Sequence, residues 1–330
     1  MKFLPVTVES MMTNLLSKVA YDEVNHKYIE DNRPNVGRFA HFKATFLGKL
    51  WIMSKANWLE LLFCAPMIVA FIMFYVKNTY ANVAINYSGN FGLGYPVITD
   101  AAEVGLARGF YLTMYRALIM IPCFVVAFVG LAGLFNVVKY EVWGTDVKVI
   151  KTFVRGVRNN FVPFMWMGLL VGLCYFLLEL SLNVFDVYHL SVVFKIIAVI
   201  AVIIIFLVVL SVTMYMTTQA SVYNLGFKSL LKNSLIFTVS FIPQNLIFIA
   251  FGLLPLLFFL LPSVLRIIGV VMAATLGISY LACVWTIYAQ FVYDGLFANF
   301  KKKKGNKNKN KGSQGPAVKT VASAANVKKK

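Results

Sequence analysis

The ionisable residues of this 330-residue chain fall into two sets that could do different chemistry. The first is basic. Lys148, Lys151, Arg155 and Arg158 step by three, four and three positions, which sets four cations along one helix face. Val147, Ile150, Phe153, Val154 and Val157 take the other face. Such a helix buries its apolar side in the headgroup region and offers its charges to anionic lipid or to a partner protein. A basic connector of this kind also serves as a plain membrane anchor. Lys228 and Lys232 extend the candidate contact surface.

The second set is acidic. Glu60 and Glu179 sit within long apolar runs, where a carboxylate is a candidate for proton or ion movement. Each lies near an end of its run, close enough to snorkel, and the two ends are opposite. They therefore form no carboxylate pair and leave no relay between them.

Other chemistry finds little support. The motifs HExxH, GxSxG, GxGxxG and the Walker A loop are all lacking, and none of the three histidines stands in a motif. His189 reads as a solvated turn residue. Cys64, Cys123, Cys174 and Cys283 all fall in apolar runs without CxxC spacing, so buried free thiols are expected, with no metal, disulfide or cofactor. The chain reads as a non-enzyme.

These groups must be positioned by membrane helices. The chain is 60% hydrophobic and its mean hydropathy is +0.75, well above the soluble range. The excess is gathered in runs long enough to cross a bilayer. The expected fold is all-α, a polytopic membrane helix bundle of about six transmembrane helices with amphipathic interfacial helices on the cytoplasmic side. The spans are placed at about 58–76, 117–138, 162–182, 196–216, 244–261 and 265–287. Residues 1–57 form a cytoplasmic region, 58–300 the membrane domain, and 301–330 a disordered lysine-rich tail. Residues 1–20 lack the apolar core of a signal peptide.

Two amphipathic lead-ins are foreseen before the first span. One lies within residues 8–19. The other lies at 38–55, where Phe39, Phe42, Phe46, Leu50 and Met53 line one face on the membrane surface. Pro122 bends or caps the start of span two. Pro243 divides a long apolar stretch into an interfacial helix and a crossing. The connection between the first two spans is about forty residues, rich in Gly and aromatics at first, with one N-x-S match at Asn86.

The net charge of +18 is read as cytoplasmic-loop charge rather than a nucleic-acid surface. Counted over alternate flanks, 26 Lys/Arg fall on one side and five on the other. Both termini are therefore placed in the cytoplasm of a plasma (cell) membrane protein. The tail lysines add a contact with anionic lipid.

A short repeat is visible. IKTFVRG at 150–156 matches FKSLLKN at 227–233, and 42–48 is a looser third copy. An amide opens each odd-numbered crossing: Asn57, Asn160, and Gln244 with Asn245. In the central turn, Thr145 or Asp146 caps a helix start after Gly144. The crossings are expected to hold few buried polar groups.

Three stretches together resemble the YesL-like family of bacterial integral membrane proteins: NWLELLFCAPMIVAF (57–71), GLFNVVKYEVWGTDVKVIKTFVRGVRNNF (133–161) and LKNSLIFTVSFIP (231–243). The long N-terminus, the forty-residue connection and the lysine tail depart from that pattern. The resemblance implies a protein accessory to a carbohydrate ABC-type uptake system, with components of that transporter as partners. It supplies no binding residues. The alternatives are a transporter in its own right, or a scaffold that recruits a partner through its basic helices.

Overall fold

The computed structural model describes residues 36–88, 101–187, 191–223, 225–260 and 262–294. The lead-in at 8–19, His189 and the tail at 301–330 lie outside the described residues. So do the side chains of the N-x-S match.

Helices account for nearly all of the described residues, with no strand among them. The fold is an all-α membrane bundle. A short α1 (Arg38–Phe42) runs into a π-helical turn (Lys43–Leu47). Then come α2 (Leu50–Ser88), α3 (Ala101–Val142), α4 (Val149–Val187) and α5 (Val192–Val222). After them, α6 (Phe227–Ser240) and α7 (Ile242–Gly252) are bent by 101°. A 3₁₀ segment (Leu254–Leu260) leads to α8 (Ser263–Met272), a second π-turn (Ala273–Gly277) and α9 (residues 278–294). Among the described residues five stretches are long and apolar enough to cross a membrane, or six if the bent α6–α7 pair is one broken span. Residues from Gln290 onward group apart from the rest. There Gln290 Nε2 donates to Asp294 Oδ1 at 2.9 Å.

The helices outrun the apolar cores expected of them. At 39 residues, α2 is about 58 Å long against a hydrocarbon layer of about 30 Å. Much of the supposed forty-residue connection is thus helix, with residues 89–100 between α2 and α3. Likewise the second lead-in is no separate surface helix throughout. From Leu50 onward it is the first turns of α2, while Phe46 and Met53 are buried and Phe39 is exposed. Pro122 falls well inside α3 rather than at a helix start.

Packing is uneven. The first half of α5, from Val192 to Phe206, is largely exposed, whereas every residue from Ser211 to Val222 is buried. The exposed apolar residues of α8, including Leu265, Ile267 and Val271, repeat the pattern. Apolar surface on this scale is at home against lipid chains. The closest helix approach is α3 against α4. A Cβ on Gly168 would stand 2.8 Å from Val125 Cα, and one on Gly172 would stand 3.1 Å from Ile121 Cα. Glycines four apart let two membrane helices touch backbone to backbone.

The turn between α3 and α4 closes backward. Gly144 has φ of 73°, and its N–H donates to the Glu141 carbonyl at 3.1 Å. The Thr145 N–H and hydroxyl both donate to the Tyr140 carbonyl, at 3.0 and 2.8 Å. This is a Schellman closure of α3. Thr145 therefore ends the preceding helix instead of starting α4.

Candidate functional site

One end of the bundle gathers the start of α2, the end of α3, the start of α4 and the end of α5. Side-chain contacts fix this arrangement. Lys49 Nζ pairs with Glu141 Oε2 at 2.5 Å, and Asn136 Nδ2 donates to the Thr152 carbonyl at 2.8 Å. Lys139, itself buried, donates to the Ser221 carbonyl at 2.9 Å. A cation on the last carbonyls of α5 also complements that helix's dipole.

At this basic end a groove of about 1,180 Å³ opens between α2 and the turn into α4. Trp51, Lys55, Trp58 and Leu62 contribute from one wall; Lys148, Lys151 and Val154 contribute from the other. Among the described residues no acidic side chain lines it. Lys55 Nζ lies 4.8 Å from the centre of the Trp51 ring. Trp51 and Trp58 are 71% and 56% exposed. Of the expected basic set, Lys148 and Lys151 face this groove, joined by Lys55. Arg155 and Arg158 are exposed further along α4 and do not line it. Lys228 and Lys232 are exposed on α6, whose first ring, Phe227, packs 6.2 Å from Trp166. Trp166 is fifteen residues beyond Lys151, about 22 Å along α4.

The two acidic candidates are held differently. Glu60 does not snorkel; it is 0% exposed. Its Oε1 accepts from Cys64 Sγ at 3.6 Å, while Oε2 has no partner and faces Gly130, whose missing side chain makes the room. Glu179 is neutralised in place. Arg116 Nη2 reaches its Oε1 at 2.8 Å, as does the Tyr175 hydroxyl at 2.6 Å. All four cysteines are free, three of them buried and Cys174 half-buried. Among the described residues no three His, Cys, Asp or Glu side chains gather closely enough to hold a metal ion.

Buried polar groups are more numerous than the hydropathy implies, which corrects the expectation of a sparse interior. Many are committed to backbone. Ser211, Thr213, Thr217 and Thr218 each donate to the carbonyl four residues back in α5, at 2.7 to 2.9 Å. Two of the amides tie broken helices together. Asn57 Nδ2 donates to the Ala274 carbonyl at 2.6 Å, and its Oδ1 accepts the Ser279 N–H at 2.9 Å. Asn245 Oδ1 accepts from the Tyr215 and Tyr288 hydroxyls at 2.7 and 2.9 Å, and its Nδ2 donates to Thr238 O at 3.1 Å across the α6–α7 bend. Asn160 is buried as well. The amide at each odd crossing was visible in the sequence, but its partners were not.

The chain matches no protein-family model, no curated protein and no solved structure.

Proposed function

We propose that this multi-pass membrane protein is a non-catalytic accessory component of an uptake system, acting through its basic end. The carrying observation is that Lys55, Lys148 and Lys151 line one groove that no acid lines among the described residues, with Arg155 and Arg158 exposed beside it. The buried polar groups speak the same way. Those of α5 and the Tyr215–Asn245–Tyr288 cluster are bonded to backbone or to each other, which leaves them poor at handing a solute along.

In this reading the basic end faces the cytoplasm of the plasma membrane, as its share of Lys and Arg implies. The resemblance to YesL-like proteins supports a carbohydrate ABC-type system as the assembly served, and components of that transporter as the partners.

One observation favours a transporter instead. Glu60 is a buried carboxyl with an oxygen that has no partner. The two readings part in a single comparison. Charge reversal at Lys148, Lys151, Arg155 and Arg158 is set against Glu60→Gln and Glu179→Gln, scoring membrane level, co-purifying proteins and growth on candidate sugars. Reversal should remove partners or growth at unchanged membrane level. Loss of growth in the Gln variants alone, with silent reversals, would establish the transporter.

A further inference from the structure

The groove at the basic end has a polarity gradient along its length. Its cations, Lys55, Lys148 and Lys151, lie toward the beginning of α2 and α4. Trp58, Leu59 and Leu62 continue the same α2 wall further along that helix, and Val154 continues the α4 wall. From Trp51 to Leu62 is eleven residues, about 16 Å of helix. At about 1,180 Å³ the space exceeds the usual small-molecule pocket of roughly 300–1,000 Å³.

We propose that this groove is a binding site for a single anionic phospholipid. The phosphate is held among Lys55, Lys148 and Lys151, and one acyl chain lies along Trp58, Leu62 and Val154. Three observations select that occupant. Three lysines line the space and, among the described residues, no acid does, so it suits an anion. The wall turns apolar within the same groove, which an inorganic anion or a sugar phosphate would leave uncovered. The two tryptophans that edge it are heavily exposed, and exposed indole rings in membrane proteins favour the headgroup level. Trp51 already holds the Lys55 ammonium over its ring, which keeps that cation at the mouth.

The orientation toward an anionic inner leaflet rests on the functional reading above. The lipid site itself requires neither a partner protein nor transport.

The test uses the full chain in nanodiscs of phosphatidylcholine with a minor share of phosphatidylglycerol, followed by native mass spectrometry of retained lipid. One phosphatidylglycerol should stay bound in preference to phosphatidylcholine. Lys55→Gln with Lys148→Gln and Lys151→Gln should lower that preference by at least about tenfold, because each removes a cation near an anionic surface. Lys→Arg at the same three positions should keep it, which separates lost charge from lost fold. Lys228→Gln with Lys232→Gln should leave it unchanged, because those cations lie outside the groove.

Equal loss in that control would reduce the effect to general surface charge and overturn the site. Stripping of the lipid by inorganic phosphate at millimolar concentration would make it a free-anion site and overturn the lipid. An acidic protein segment retained in place of lipid would do the same. Loss of partners or growth with lipid retention intact would instead leave the functional reading standing and this proposal refuted.

Discussion

The side chain of Asn57 sits between the carbonyl of Ala274, 2.6 Å from its Nδ2, and the N–H of Ser279, 2.9 Å from its Oδ1. Those two backbone groups are five residues apart, the separation that a π-turn joins. The Asn57 amide serves both, so the wide turn at Ala273–Gly277 is held by a side chain more than two hundred positions earlier in the chain.

Asn57→Leu should therefore destabilise the fold by about 1–2 kcal/mol, because it leaves a buried donor and acceptor without partners. Val69→Ala, an exposed position on the same helix, is the reference and should be near neutral. Thermal unfolding in detergent would read the difference, and equal melting temperatures would show that the bridge carries no stability.

What was legible beforehand was the one-dimensional part. Long apolar runs mark helices whatever their neighbours, and the 3-4-3 spacing of Lys148 to Arg158 marks a helix face. The basic helix and the membrane bundle were read from these alone. Pairing between distant segments was not. Nothing near Asn57 specifies Ala274, and hydropathy at Glu60 does not reveal that Gly130 leaves a slot for it. Hydropathy averaged over the whole run also smoothed over the division of α5 into an exposed aliphatic half and a buried, hydroxyl-rich half. One signal was present and passed over. Gly168 and Gly172, spaced four apart in an apolar run, announce the close α3–α4 contact.

That contact supplies a second prediction. A Cβ at Gly168 meets backbone atoms, Val125 Cα at 2.8 Å and Phe124 O at 2.9 Å, so the two helices themselves would have to part. At Gly172 the nearest atom is 3.1 Å away, which a shift of a few tenths of an ångström relieves. Gly168→Ala should lower the yield of folded, monodisperse protein more than Gly172→Ala does. Size-exclusion chromatography of the two variants would check the order; the reverse order would contradict the packing.

A third concerns the ion pair of Lys49 and Glu141. The glutamate side chain is 0% exposed and the lysine 34%, so the pair is anchored on a buried carboxylate. Removing the lysine strands that carboxylate, and removing both does not. Lys49→Met alone should be more destabilising than Lys49→Met with Glu141→Leu. A double-mutant cycle by chemical unfolding measures this. A double variant as unstable as the sum of the singles would mean that the pair is not coupled.

The last prediction fixes orientation, on which the assignment of the basic groove to the cytoplasm depends. Gly37, Gly109 and Gly226 each have open space where a side chain would begin, so cysteine fits at all three. Gly37 precedes the first candidate span, Gly226 follows the fourth, and Gly109 lies near the opposite end, at the start of the second. The native thiols give little background, because three are buried and half-buried Cys174 can be changed to serine. The excess of Lys and Arg places Gly37 and Gly226 inside and Gly109 outside. A membrane-impermeant maleimide added to intact cells should label Gly109→Cys alone, and Gly37→Cys and Gly226→Cys should react only after permeabilisation. Labelling of Gly226→Cys on intact cells would turn the basic end outward and remove the ground for a cytoplasmic partner there. Labelling of Gly37→Cys and Gly226→Cys on different sides would show instead that an even number of crossings does not separate them, and the count of spans would have to change.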